Sequence, residues 1–193
     1  MRFLTRVIFP MLLLSQLAMA QQETRTIFLV RNAETASAAP DAALSPAGEK
    51  RAGCLATMLK EAGVKQIYVT DARPTQQTAA PLAAALKLTP KVIAAKDPNT
   101  LIRDLLYSGG GNILVVGHND TLPFVLARIK AGSVPPIGVS EYDRMFVTTI
   151  IEGGATQAST LRYCEGGPAA AGAATPAPSS RSGKKGAAPK KKP

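Results

Sequence analysis

Histidine occurs once in the 193 residues of this chain, and cysteine twice. His118, Cys54 and Cys164 have none of the spacings by which zinc or another transition metal is held, so no metal and no other cofactor is expected. No segment repeats at a fixed period, which excludes solenoid architectures. The apolar run nearest the amino terminus, Val7 to Leu14, is too short to span a membrane comfortably. Acidic residues are outnumbered 13 to 23 by basic ones, but the excess lies at the ends of the chain. Arg2 and Arg6 precede the apolar run, and Arg181, Lys184, Lys185, Lys190, Lys191 and Lys192 crowd the carboxyl terminus. The remaining 15 basic residues face all 13 acidic ones, so the middle of the chain is near neutral. General affinity for nucleic acid is therefore not expected.

What is present divides the chain into three. Met1 to Arg6 is a basic leader, Val7 to Leu14 its apolar segment, and Ala18-Met19-Ala20 a small-residue cleavage site before Gln21. Residues 1–20 read as a secretory signal peptide, and the product as periplasmic or extracellular. No cysteine follows the apolar segment to carry a lipid anchor. Residues 21–165 form one domain with room for a sizeable core. Residues 166–193 are almost entirely alanine, proline, glycine, serine and lysine without apolar periodicity, and are expected to be a disordered basic tail.

Within the domain, apolar strands alternate with helical segments. Ile27 to Val30 and Ile113 to Val116 are continuous apolar runs of the kind buried on both faces of a parallel sheet. Strands are also expected at Gln66–Thr70, Lys91–Ala95, Arg144–Ile151 and Ala158–Cys164, the last two joined at Gly153-Gly154 as a hairpin. Helices are expected from Pro46 to about Ala62, with Ser45 as N-cap and Leu55, Met58, Leu59 and Ala62 on one face; from Pro74 or Thr75 to Leu86; from Asp97-Pro98 through Leu106; and from Thr121 to Lys130. The pattern is α/β: three layers, a mainly parallel sheet with helices on both faces and an antiparallel edge hairpin. Cys54 and Cys164 either pair in an oxidising compartment or remain two separate half-buried side chains, with the second reading favoured.

Chemistry gathers where strands end. Arg31 and Asn32 follow the first apolar run, Gly117 and His118 the second, and Asp71 to Ala79 the strand between them in sequence. Carboxyl ends of strands in open α/β sheets are where ligand sites form. The ordered set Arg31-Asn32-Ala33-Glu34-Thr35, Leu44-Ser45-Pro46-Ala47-Gly48, Gln77-Thr78-Ala79 and Gly117-His118 resembles the histidine phosphatase (phosphoglycerate mutase-like) superfamily, in its small phosphohistidine-phosphatase-like branch, over about residues 25 to 163. The resemblance implies a phosphoglycerate mutase-like fold. It also implies a site in which one histidine carries the phosphoryl group while a second histidine and two arginines clamp its oxygens.

The sequence departs from that pattern at two places. Asn32 stands at the nucleophile's position, and an amide nitrogen has no nucleophilic lone pair. Pro74 stands where the second arginine belongs, with Arg73 one residue early, where plain surface solvation is favoured slightly over substitution for the missing clamp. Arg31, Asn32, Arg73 and His118 are the candidate phosphate-binding residues, and His118 is also the candidate for residual catalysis. Asp97, Asp104 and Asp120 are candidate proton donors. Asp120 is nearest in sequence to His118, although an aspartate opening a helix more often caps it. Glu34 is expected to brace the loop after Arg31.

Three readings follow. The first is an exported protein with a phosphate or anion pocket and impaired catalysis, binding a phosphate-bearing small molecule or a phosphorylated protein. The second is an active phosphomonoesterase using His118 or an oriented water. The third is a non-enzymatic adaptor whose basic tail meets an anionic envelope surface. The leader makes a direct prediction: the intact mass of the exported product should correspond to a chain beginning at Gln21. A membrane-held product that keeps Met1 to Ala20 would contradict it.

Overall fold

The computed structural model describes residues 24–151 and 154–164. Both the leader, residues 1–20, and the tail, residues 166–193, lie outside them. Strand β1 (Arg25–Arg31) is followed by α1 (Pro46–Leu59), β2 (Val64–Thr70), α2 (Arg73–Leu86), β3 (Lys91–Ile93), α3 (Pro98–Tyr107), β4 (Asn112–Gly117) and α4 (Thr121–Arg128). Three further strands, β5 (Arg144–Ile151), β6 (Gly154–Ala155) and β7 (Ser159–Arg162), complete a seven-stranded sheet.

The sheet order is β3-β2-β4-β1-β5-β6, with β7 also paired to β5. Strands β1 to β4 run parallel, whereas β5 is antiparallel to β1, β6 and β7. In the central strands alternate residues face opposite layers. Ile27, Leu29, Ile113 and Val115 meet Leu105 of α3 and Leu122, Val125 and Leu126 of α4. Val30, Leu114 and Val116 meet Leu55 and Leu59 of α1 and Ala79 and Leu82 of α2. This is the expected three-layer α/β architecture with antiparallel strands at one edge.

Local sequence accounts for the helix ends. Ser45 accepts a hydrogen bond from Gly48 N at 3.1 Å, and Pro46 opens α1 where its missing N–H is not needed. Gly48 is required by packing, since a Cβ there would lie 2.1 Å from the carbonyl oxygen of Glu34. Asp97 and Asp120 cap α3 and α4.

Several boundaries differ from expectation. Helix α1 stops at Leu59, and its buried face is Gly48, Arg51, Ala52, Leu55, Ala56 and Leu59, leaving Met58 at the edge of that arc and 47% exposed. Strand β3 ends at Ile93 because Ala95 N turns to the carboxylate of Asp71 (3.0 Å). The last expected strand is shorter, since Ala158 N donates to Ala131 O, outside the sheet. Residues 152 and 153 of the expected turn lie outside the described residues, which pair Ile151 with Gly154 on either side of it.

The favoured reading of the cysteines is overturned. Cys54 on α1 and Cys164 after β7 form a disulfide, with Cα atoms 6.0 Å apart across 110 residues of sequence. Beside it the buried Arg51 binds Glu34 with Nη2 and Nε (2.7 to 3.0 Å), while its Nη1 donates to the carbonyls of Tyr163 and Cys164. Burial opposes ionisation of Glu34, but the hydrogen bonds from Arg51 outweigh it and hold the carboxyl below its usual range. The bridge and the ion pair thus tie the chain end, α1 and the loop after β1 together. Because a closed loop of this length restricts the unfolded chain strongly, replacing both cysteines by serine should cost about 3–4 kcal/mol. Urea unfolding measures it; an unchanged midpoint would show that the bridge contributes nothing.

Candidate functional site

Parallel pairing of β1 with β4 places Arg31 opposite Gly117, and Asn32 N continues the ladder by donating to Gly117 O at 2.8 Å. The residues that follow the two strands, Asn32 and His118, are thereby side by side. Asn32 is 7% exposed, and its Oδ1 lies 3.3 Å from His118 Nδ1. Its amide nitrogen donates to Ala33 O at 3.0 Å, which fixes the orientation of the amide. Since Oδ1 can only accept, His118 Nδ1 carries the proton and Nε2 presents a lone pair.

That lone pair faces Thr70, the last residue of β2, whose Oγ1 is 3.0 Å from Nε2. Thr75 Oγ1 lies within reach of Ala72 O (2.8 Å), Thr70 Oγ1 (2.9 Å) and Thr70 O (3.1 Å), and Ala72 N donates to Thr70 Oγ1 at 3.3 Å. Because Nε2 carries no proton, Thr70 is the donor in its contact with His118, and it can accept from Thr75. Both ring nitrogens are thus engaged within the chain. Burial lowers the pKa of His118 below its ordinary 6.5; the carboxylate of Asp120 opposes this, the guanidinium of Arg31 adds to it, and Asp71 opposes it more weakly. The ring is neutral at neutral pH.

Arg31 is beside this cluster but held from another direction. Its Nη1 donates to the carbonyls of Gly138 (2.9 Å), Val139 (2.8 Å) and Glu141 (3.3 Å), and the guanidinium stacks over Tyr142, 4.1 Å from the ring centroid. The 138–142 segment is itself anchored, because Glu141 accepts from Gly138 N and binds both Arg144 and Arg162. Arg31 Nη2 makes no hydrogen bond among the described residues.

The other candidates are dispersed. Arg73 is exposed and its side chain makes no hydrogen bond among the described residues; its backbone N–H is taken by Asp41 Oδ1 at 2.6 Å. A carboxylate of the chain therefore occupies the positive amino terminus of α2, where Pro74 stands in place of a cation. Asp120 is exposed and accepts from Thr121 N at 2.8 Å as the cap of α4. Asp97 accepts from Thr100, and Asp104 pairs with the exposed Arg103. Glu34 is bound by Arg51. No group of three His, Cys, Asp or Glu side chains that could hold a metal occurs among the described residues.

Thr70 and Tyr142 were not anticipated. Thr70 had a signal, since it ends a buried strand next to β4, just as Arg31 ends β1. Tyr142 had none, because it meets Arg31 from 111 residues away.

The histidine phosphatase superfamily (branch 1) matches in sequence over residues 27–95, which take in most of β1, Asn32, Glu34 and the Gln77-Thr78 pair. Over that stretch the chain is similar to members of the histidine phosphatase superfamily. The structure of the protein histidine phosphatase SixA complexed with tungstate is similar over 71% of this chain and 96% of that one, at 17% identity and a TM-score of 0.58. The alpha-ribazole phosphatase of Shigella flexneri is similar over 68% and 93%, at 16% identity and 0.57. A mycobacterial glucosyl-3-phosphoglycerate phosphatase is similar over 72% and 98%, at 14% identity and 0.56. These likenesses show the phosphoglycerate mutase-like fold. No curated protein matches the chain in sequence.

One titration tests this site. With a folded pKa below the unfolded value, the unfolded chain binds more protons between the two, so the contribution of His118 to stability is complete above 6.5 and is lost as pH falls through the folded pKa. His118 is the sole histidine, so its ring-proton resonance is unambiguous in the untagged protein. The NMR midpoint is expected below 6.5. A midpoint at or above 6.5 would mean the ring is solvated or ion-paired.

Proposed function

We propose that this protein is an exported superfamily member with a reduced pocket for a phosphate-bearing ligand, impaired as a phosphohistidine-forming phosphatase. The observation that carries the reading is the placement of Asn32. The residue at the nucleophile's position is buried, and both ends of its amide are used, one on Ala33 O and the other on His118 Nδ1. An amide cannot accept a phosphoryl group by double displacement, and no other histidine is available.

The charge arrangement points the same way. A phosphoryl group needs donors for its oxygens as charge redistributes. Here Arg31 has one terminal nitrogen fixed on three carbonyls, Pro74 brings no cation, and Asp41 fills the helix end. Binding then rests on Arg31 Nη2 and on whatever bond His118 releases. Export is supported by the leader and by the Cys54–Cys164 bridge, which persists in oxidising compartments.

The test is turnover of 4-nitrophenyl phosphate by the mature protein beside the double variant Asn32→His, Pro74→Arg. Loss of a covalent nucleophile removes on the order of 10³-fold or more in rate, so the unaltered protein should stay near background and the double variant should gain. Turnover by the unaltered protein at roughly 1 s⁻¹ or faster would overturn the reading.

A further inference from the structure

Without a histidine at position 32, the polar groups of the site have a different order. Thr70 Oγ1, His118 Nε2, His118 Nδ1 and Asn32 Oδ1 form one line of hydrogen bonds, 3.0 Å between hydroxyl and imidazole and 3.3 Å between imidazole and amide. The amide is oriented by its bond to Ala33 O, and the tautomer that follows leaves Nε2 bare toward the hydroxyl. A hydroxyl within hydrogen-bond reach of a base, with the base oriented by a third group, is the arrangement that activates an oxygen nucleophile. Thr70 and His118 are both only partly buried, so the pair is open to a substrate.

The surroundings indicate what that substrate would be. A small cavity beside Thr70 is walled by Ile93, Ala94, Leu101, Leu122 and Val125, all apolar. The guanidinium of Arg31, whose charge acts on His118, already binds three carbonyl oxygens. A dianionic phosphate gains little from such walls, whereas a neutral ester loses little there.

The geometry points to Thr70 as a nucleophile activated by His118 and oriented through Asn32, acting on carboxylic esters with short apolar acyl groups. Thr70 Oγ forms a bond to the ester carbonyl carbon as its proton passes to His118 Nε2, and Asn32 Oδ1 steadies the imidazolium through Nδ1–H. The bond from that carbon to the alcohol oxygen then breaks, and the departing alcohol takes the proton from Nε2. Water attacks the threonyl ester in the same way: His118 accepts the water's proton and returns it to Thr70 Oγ as the acid leaves. This inference goes beyond the phosphate reading and does not depend on it.

Burial lowers the pKa of His118, Asp120 at the start of α4 opposes this, Arg31 at the end of β1 adds to it, and Asp71 after β2 opposes it. The acylation rate should therefore hold to a pH below 6.5 before it falls.

The experiment incubates the full mature chain with 4-nitrophenyl acetate, follows nitrophenolate release, and maps acetyl groups by peptide mass spectrometry. An acetyl group on Thr70 is expected. Thr70→Val, which keeps the side-chain shape, and His118→Ala should lower the rate on the order of 100-fold, whereas Thr70→Ser should keep it. Melting curves verify that each variant folds, and the adduct map on the unaltered chain stands without them. Acetyl groups confined to lysines, or a rate indifferent to Thr70→Val and His118→Ala, would overturn the inference. The phosphate reading fails separately, through turnover of the aryl phosphate.

Discussion

The pairing of β1 with β4 is the constraint on which the site depends. Two apolar runs far apart in sequence become neighbours at the centre of the sheet, and both leave it at the same edge. Asn32 N to Gly117 O is the last rung, and beyond it the chain can only turn outward. Helices on both faces bury the strands, so the polar residues at their ends are the first that water or a ligand can reach. Position 32 and His118 are adjacent for this reason, whatever side chain position 32 carries.

From there the chain answers its own charges. Three carbonyls and the face of Tyr142 take Arg31, Asp41 takes the start of α2, and Arg51 takes Glu34. Each arrangement supplies internally what an anion or cation would otherwise supply. A ligand must then exchange existing bonds for new ones, and the net gain is the small difference between them. The Arg51 contacts also connect the site loop to the chain end stapled by Cys54 and Cys164. On the proposed reading, the same interactions that hold the loop in place make it a weak anion trap.

Much of this was legible beforehand. The apolar runs Ile27–Val30 and Ile113–Val116 announced buried strands, and Ser45-Pro46 announced the start of α1, because these signals are local. The positions of Arg31, Asn32 and His118 at strand ends followed from the same runs. What the sequence hid was long-range. The carbonyls that hold Arg31 lie 107 to 110 residues away and carry no side-chain signature. Met58 has the composition of a core residue, but its angle on α1 turns it to the rim beside Cys164, where the two sulfur atoms are 3.8 Å apart. Cys54 and Cys164 could not be paired from spacing, because only the fold brings the chain after β7 beside α1.

The central claim is that the proposed anion-binding groups, Arg31 Nη2 apart, are already occupied by the chain itself. Calorimetric titration of inorganic phosphate into the full mature chain tests it most directly. Binding weaker than about 1 mM is expected, corresponding to roughly 4 kcal/mol or less. Micromolar binding would contradict the account, since it would require Arg31 or the α2 terminus to be free to meet the anion.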